Sequence, residues 1–142
     1  MRCAGNDRKE PAVVITDPAR RPCEAPLLRF DVPSLLAQLE REDTWHTRTR
    51  HAVTLLEGHH GLRVVLMALH AGTVIPPHQV EGLISVQVIK GRLIFSTSSE
   101  SVTIGKGQLL TLQAGIRHAL EALEESAFLL TRIGGGSHPA AG

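Results

Sequence analysis

The chain has no tyrosine, one tryptophan and three phenylalanines among its 142 residues. It has only two cysteines, Cys3 and Cys23, and both lie in a proline-rich, charged N-terminal stretch. A disulfide there would close a loop outside any predicted core, so we expect two free thiols. The two cysteines are also not at metal-ligand spacing from each other or from the histidines. Cysteine chemistry therefore gives no indication of function.

The chain also lacks long apolar runs and an excess of charge of either sign. No stretch approaches the roughly 20 apolar residues that a membrane-spanning helix needs, and the N-terminus lacks the hydrophobic segment of a secretory signal. Fifteen Lys and Arg against fourteen Asp and Glu leave a formal net charge of +1. This balance does not favour binding to nucleic acid or to an anionic membrane surface. The sequence therefore favours a cytoplasmic protein without nucleic-acid or membrane partners.

Composition divides the chain into a leader, one domain and a tail. Residues 1–26 contain four of the eight prolines and alternating charges, which predicts a mostly disordered leader with room for one short strand at Val13–Ile15. Residues 134–142 are rich in glycine and predict a flexible tail. The intervening residues 27–133 are the predicted folded domain, and their number is typical of a single domain.

One amphipathic helix is predicted near residues 32–42. Its apolar side chains recur at i, i+3, i+4 and i+7, on one face of a helix; they are Val32, Leu35, Leu36 and Leu39. Pro33 falls near the helix start, where its missing N–H is tolerated. We expect this helix to lie across the rest of the fold as a lid or brace.

From about residue 51 the pattern changes to short strands separated by turn residues. The candidate strands are rich in Val, Ile, Leu and Thr, and they are 52–57, 62–70, 83–90, 93–98, 101–104, 108–112, 118–123 and 127–133. Many short strands with frequent turns predict an all-β sandwich or barrel.

Two glycine-punctuated stretches carry a family resemblance. In the first, Gly72 is followed after five residues by His78, and Gly91 ends the stretch. This spacing resembles the first motif of the cupin superfamily, with Val80 where that motif has its second histidine and Ile84 where it has its glutamate.

The second stretch resembles the second cupin motif. Gly107, Gly115 and His118 match it, while Gln113 replaces its proline and Ala122 replaces its asparagine. The chain is similar to small single-domain bacterial cupins of unassigned function. The resemblance implies an all-β, cupin-like double-stranded β-helix, that is, a jelly-roll barrel, with the one N-terminal helix. It also implies a homodimer, for which Leu129-Leu130 or the helix stripe could supply the contact.

The barrel interior is the predicted binding site. Residues two apart on a strand face the same side, so His78, Val80 and Ile84 are expected to share a face that Val86 continues. His118 and Leu120 are expected to face them from the opposite wall. A mostly apolar interior with a few polar groups is typical of a small-molecule site. The predicted ligand-binding residues are His78, Val80, Ile84, Val86, His118 and Leu120.

The replaced motif residues bear on the metal question. His78 and His118 lack the third protein ligand of zinc and non-haem iron sites, so no metal cofactor is expected. Gln79, Glu81 or a substrate oxygen could complete a site for iron, manganese, nickel or zinc. The favoured interpretation is a sensor or accessory protein that binds a small, partly apolar molecule without a full metal site. The alternatives are a metal-dependent dioxygenase or isomerase that uses His78 and His118, and a structural or partner-binding module.

The stretch from Trp45 to His51 combines the tryptophan with basic residues. We expect Trp45 to cover the end of the barrel while Arg48 and Arg50 stay in solvent. An arginine reaching a carboxylate ligand is the alternative. His70 is expected at an exposed rim, and His59-His60 in a surface turn.

Overall fold

The computed structural model describes residues 13–15, 27–58 and 61–134. The predictions for the leader, the thiols of Cys3 and Cys23, the His59-His60 turn and residues 135–142 lie outside the described residues. Within the leader, the short strand Val13–Ile15 is present.

The described residues form mostly strands. The helices are α1 (Val32–Arg41) and α2 (Asp43–Thr47). The strands are β1 (Val13–Ile15), β2 (Leu28–Phe30), β3 (Arg50–Glu57), β4 (Arg63–Leu69), β5 (Val74–His78), β6 (Leu83–Lys90), β7 (Arg92–Thr97), β8 (Ser101–Gly105), β9 (Leu109–Leu112), β10 (His118–Ala122) and β11 (Ser126–Ile133).

Two antiparallel sheets make up the body of the fold. The four-stranded sheet has the order β5-β10-β7-β8, and the five-stranded sheet has the order β3-β4-β11-β6-β9. β1 and β2 form a separate parallel pair. Apart from β3-β4 and β7-β8, the neighbouring strands of the two sheets are not consecutive in the chain, as in a double-sheet jelly roll. The predicted all-β jelly roll with an N-terminal helix is confirmed.

The five-stranded sheet is covered on both faces, and this explains the pattern of its strands. Between the sheets lies an inner core that includes Leu69, Val86, Leu93, Phe95 and Phe128. On the other face, the helices and the sheet enclose an outer core whose members include Leu35, Leu39, Trp45, Leu55 and Leu66. β4 contributes to both cores and is therefore apolar at almost every position, as expected for a strand buried on two sides.

Helix α1 packs on the outer face of the five-stranded sheet. Asp31 caps it by accepting a hydrogen bond from the backbone N–H of Ser34 at 3.2 Å, and Leu35 and Leu39 are fully buried. The helix is thus the predicted brace. The sequence did not predict α2, which begins at Asp43 and brings Trp45 into the outer core, where the indole is only 5% exposed. The position expected for Trp45, at the end of the barrel, is wrong for this reason.

The surfaces named for a homodimer are used within the chain. The helix stripe and Leu129 pack in the outer core, and Leu130 packs against the inner core. A homodimer stays a prediction. No helix among the described residues is long and apolar enough to cross a membrane.

Candidate functional site

An open cavity of about 1200 Å³ lies beside the inner core and is lined by residues of both sheets. Small-molecule sites commonly enclose about 300–1,000 Å³, so this space is large enough for such a ligand. The cavity is lined by all six residues predicted as ligand-binding, namely His78, Val80, Ile84, Val86, His118 and Leu120.

The two histidines lie side by side on neighbouring strands. His78 ends β5, and its partner in the ladder with β10 is His118. The ring centroids are 4.4 Å apart, with the planes inclined at 56°. The expectation that they face each other from opposite walls is wrong, because β5 and β10 belong to the same sheet. Their convergence on one cavity is as predicted.

His118 is the more enclosed of the two imidazoles. It is 5% exposed, and its ring stacks on Phe95 with centroids 5.2 Å apart and planes 10° from parallel. Its Nδ1 lies 2.9 Å from the carbonyl oxygen of Ile116. A carbonyl can only accept, so Nδ1 carries the hydrogen and donates it.

Burial lowers the pKa of His118 below its ordinary value of 6.5. The hydrogen bond to Ile116 opposes this effect, and the neighbouring His78 adds to it. Desolvation disfavours the charged imidazolium, so His118 is neutral at pH 7. With Nδ1 protonated, Nε2 remains as a hydrogen-bond acceptor.

His78 lies at the exposed side of the cavity. Its Nδ1 donates to the carbonyl oxygen of Pro76 at 3.1 Å. β5 is an edge strand of its sheet, which is where prolines are tolerated because no ladder hydrogen bond is lost. Pro76 and Pro77 therefore fit the backbone that presents His78 without disrupting the sheet.

The apolar walls come from both sheets. Ile84 and Val86 on β6 are buried at 3% and 1% exposure, and Leu120 on β10 is buried at 5%. Val80 lies in the segment 79–82, which crosses from one sheet to the other, and its carbonyl accepts the N–H of Gly115 at 2.9 Å. Residues 78–88 therefore do not form the single strand assumed from the sequence. The six residues share the cavity because both inner faces point into it.

The described side chains do not complete a metal site. No group of three or more His, Cys, Asp or Glu within residues 27–58 and 61–134 could hold a metal ion. Gln79 and Glu81, the candidate third ligands, are exposed on the crossing segment. The donor set provided by this part of the chain is the histidine pair.

Sequence reasoning missed several cavity residues. They include Thr54 on β3, Arg63 and Met67 on β4, Phe95 on β7, and Phe128 and Arg132 on β11. Strand parity was the available signal, since Arg63, Val65 and Met67 alternate along β4. β4 is apolar on both faces, however, so its sequence did not show which face is internal.

His70 is a structural residue outside the cavity. Its ring stacks on Trp45 with centroids 3.6 Å apart, and its nitrogens lie 2.7 Å from the Trp45 carbonyl oxygen and 3.0 Å from Glu125 Oε2. The hydrogen bond to Trp45 is the main cause that raises the pKa of His70, with Glu125 also contributing. His70 is half-buried and connects α2 to the end of β4.

Comparison with known proteins identifies the fold. No protein-family model and no curated protein matches the chain. Among solved structures, a cupin superfamily protein from Desulfitobacterium hafniense superposes with a TM-score of 0.62 and 15% identity, over 80% of this chain and 94% of that one. A conserved Streptococcus pyogenes protein of unknown function has a TM-score of 0.57 and 26% identity, over 61% of this chain and 75% of that one.

A third similar structure is an enzyme. The salicylate 1,2-dioxygenase of Pseudoaminobacter salicylatoxidans superposes with a TM-score of 0.57 and 17% identity, over 61% of this chain. This chain matches only 25% of that enzyme's length. These likenesses show that the protein has the cupin fold, as the two motifs predicted.

Proposed function

We propose that this protein binds a small, partly apolar molecule in the barrel interior, in a sensor or accessory role without a full metal site. The observation that carries the proposal is the open cavity of about 1200 Å³. Its walls are mainly hydrocarbon, and two imidazoles 4.4 Å apart supply convergent polar groups. Such a combination is typical of ligand pockets.

The histidines define how a ligand is held. Each Nδ1–H is occupied by a carbonyl of its own strand region, Pro76 for His78 and Ile116 for His118. A neutral imidazole in this tautomer offers Nε2 as an acceptor. The ligand would therefore donate, through a hydroxyl or N–H, while its apolar part contacts Val86 and Leu120.

Blocking the cavity tests the proposal. Val80 is half-buried at the cavity, whereas Val74 is 57% exposed on β5 and outside it. A small-molecule panel screened by thermal shift should give compounds that raise the melting temperature of the wild type. Val80→Trp should abolish these shifts, and the matched Val74→Trp should retain them. Shifts that persist in Val80→Trp would place binding elsewhere, and a panel without any hit would count against a binding role.

One observation favours a second candidate, a metal-dependent dioxygenase or isomerase. Histidine ligands of metals usually donate their other ring N–H to a backbone carbonyl or carboxylate, and both His78 and His118 do so. In the described residues the third ligand is lacking, so the ligand set would need a substrate oxygen. Elemental analysis of untagged protein separates the candidates. Near-stoichiometric iron, manganese, nickel or zinc that disappears in the His78→Ala, His118→Ala double variant would support the enzyme.

A further inference from the structure

The charged side chains of the cavity wall are of one sign. Four arginines line it, Arg48, Arg50, Arg63 and Arg132, and no Asp or Glu is among the described lining residues. The whole chain carries a formal net charge of only +1. The wall of the cavity is therefore positive, although the chain as a whole is nearly neutral.

Arg63 and Arg132 form the inner part of this charge. They are direct partners in the ladder between β4 and β11, which places their Cβ atoms about 5 Å apart on the cavity face. Directly opposed like charges destabilise a sheet. Neither guanidinium forms an ion pair with a carboxylate of the described residues, although exposed Glu57 is the ladder partner of Arg63 on β3.

The hydrogen bonds of the two guanidiniums are also incomplete. Within the described residues, both Nε atoms are buried without a hydrogen-bond partner. The one polar contact found there for the pair is a long one, 3.4 Å from Arg63 Nη2 to the hydroxyl of Thr54. Leaving buried donors unsatisfied is costly, and such groups in native structures call for an explanation.

We propose that Arg63 and Arg132 bind the carboxylate of an otherwise apolar small molecule, which rests on the proposed binding in the cavity. A carboxylate has two oxygens that accept paired N–H groups from guanidinium in fixed geometry. Its single negative charge would offset the repulsion between the two opposed guanidiniums. The β6 partner of Arg132 is Ile84, so the apolar body of the ligand meets hydrocarbon directly beside the charged end.

The stem of Arg132 lies against the backbone of the crossing segment. A Cβ atom added at Gly82 would lie 3.0 Å from Arg132 Cγ, so the crossing segment passes closely over this side chain. A close contact at Cγ restricts the conformations of the side chain, which reduces the entropy lost on binding.

Benzoate and benzamide, which share the same ring, provide a test by titration calorimetry. The amide N–H can donate to the imidazole Nε2 atoms and benzoate cannot, so a preference for benzoate must come from its carboxylate charge. Benzoate should bind the wild type at least about tenfold more tightly, which corresponds to about 1.4 kcal/mol. Arg132→Met and Arg63→Met should each lower benzoate affinity to that of benzamide while leaving benzamide affinity unchanged. The control is Arg92→Met, an exposed arginine that pairs with Glu124 outside the cavity, and it should keep the preference.

Stability without added probe gives an independent readout. Methionine keeps the arginine stem but removes the opposed charge and the unsatisfied donor, so both cavity variants should melt at a higher temperature than the wild type. If the arginines served only to hold the fold, the variants would melt lower and keep the preference for benzoate. That result would overturn the proposal.

The remaining outcomes separate this proposal from binding in the cavity as such. Equal affinities for benzoate and benzamide, both lost in Val80→Trp, would overturn the carboxylate site and leave the cavity function standing. Inorganic phosphate binding as tightly as benzoate would overturn the apolar carboxylate as the ligand class. Binding of neither compound to the wild type would count against both proposals.

Discussion

At the scale of single residues, the two motifs contain two kinds of position. Some are glycines that the backbone conformation requires, and others hold side chains that line the barrel. Gly91 and Gly107 match motif positions and have φ near +80°, at 81° and 84°, a region where residues with a Cβ are strained. Val80 and Ile84 lie where the cupin motif that this chain resembles has metal ligands, and here they pack within the barrel. The turns require the two glycines, whereas Val80 and Ile84 contribute packing.

The two glycines should respond differently to alanine. A Cβ at Gly91 would lie 2.3 Å from both the Glu125 carbonyl oxygen and Ser126 Oγ, whereas a Cβ at Gly107 would meet nothing within 4 Å. Gly107→Ala should therefore lower the unfolding free energy by only about 1 kcal/mol, the cost of placing alanine in the left-handed region. Gly91→Ala adds a backbone clash and should lose at least about 3 kcal/mol. Urea unfolding measures both, and equal losses would contradict the close approach of β11 to Gly91.

The histidines predict opposite contributions to the pH dependence of stability. Burial lowers the pKa of His118, so the unfolded imidazole binds a proton first as the pH falls. The contribution of His118 is fully present above pH 6.5 and is lost as the pH falls below that value towards the folded pKa. Hydrogen bonds raise the pKa of His70, so its contribution is fully present below pH 6.5 and is lost as the pH rises through the folded pKa.

Unfolding free energies at pH 5.5 and 7.5 test these signs, with a chelator present to remove metal. Compared with the wild type, His118→Gln should lose less stability on acidification. His70→Gln should lose more, because the favourable protonation of His70 is gone. Differences between wild type and variant cancel the titration of the other groups. Changes of the same sign in the two variants would refute the assigned environments.

At the scale of elements, the sequence predicted the strands better than it predicted their partners. Each of the eight candidate strands has a counterpart within one or two residues at either end. Periodicity did not predict β5, because Pro76-Pro77 is compatible with either an edge segment or a loop; β5 is the edge strand that pairs with β10. Similarly, α2 is too short for a helical period to be visible.

The candidate site was predictable where its residues lie within the motifs. His78 and His118 could be assigned to one cavity from their motif positions, and the structure places them 4.4 Å apart. Arg63 and Arg132 could not be assigned to the site in this way. Their pairing depends on β4 lying beside β11, and these strands are far apart in the sequence. The alternation of residues in the sequence indicates which side chains share a face of a strand. The order of the strands in the sheet is set by the packing of the whole barrel.

Helix α1 contributes stability chiefly through burial rather than through its own propensity, since it has only ten residues. Leu39 is fully buried against the sheet, so Leu39→Ala should lower the unfolding free energy by about 2–5 kcal/mol. Arg41→Ala, at an exposed position on the same helix, should change it by less than about 0.5 kcal/mol. Chemical denaturation measures both. A small effect of Leu39→Ala would show that the helix detaches from the sheet at little cost.

At the scale of the whole molecule, the two faces of the five-stranded sheet have different roles. Its outer face is closed by α1, α2 and the outer core. Its inner face bounds the cavity, where open volume and the opposed Arg63 and Arg132 reduce the packing that a filled barrel would provide. We therefore interpret the outer core as the part that stabilises the fold and thereby allows an open, charged interior.

This division has a consequence for unfolding, because the two cores share the same strands. Leu66 and Ala68 in the outer core alternate along β4 with Leu69 and half-buried Met67 of the inner core, so we expect the two cores to unfold together. Trp45 is the only tryptophan and lies in the outer core, whereas far-UV circular dichroism reports mainly on the strands. Thermal unfolding followed by Trp45 fluorescence and by circular dichroism should give coincident transitions, as in a two-state domain. A fluorescence transition at clearly lower temperature would mean that the helices leave an intact barrel, and the outer core would then not be what stabilises the open interior.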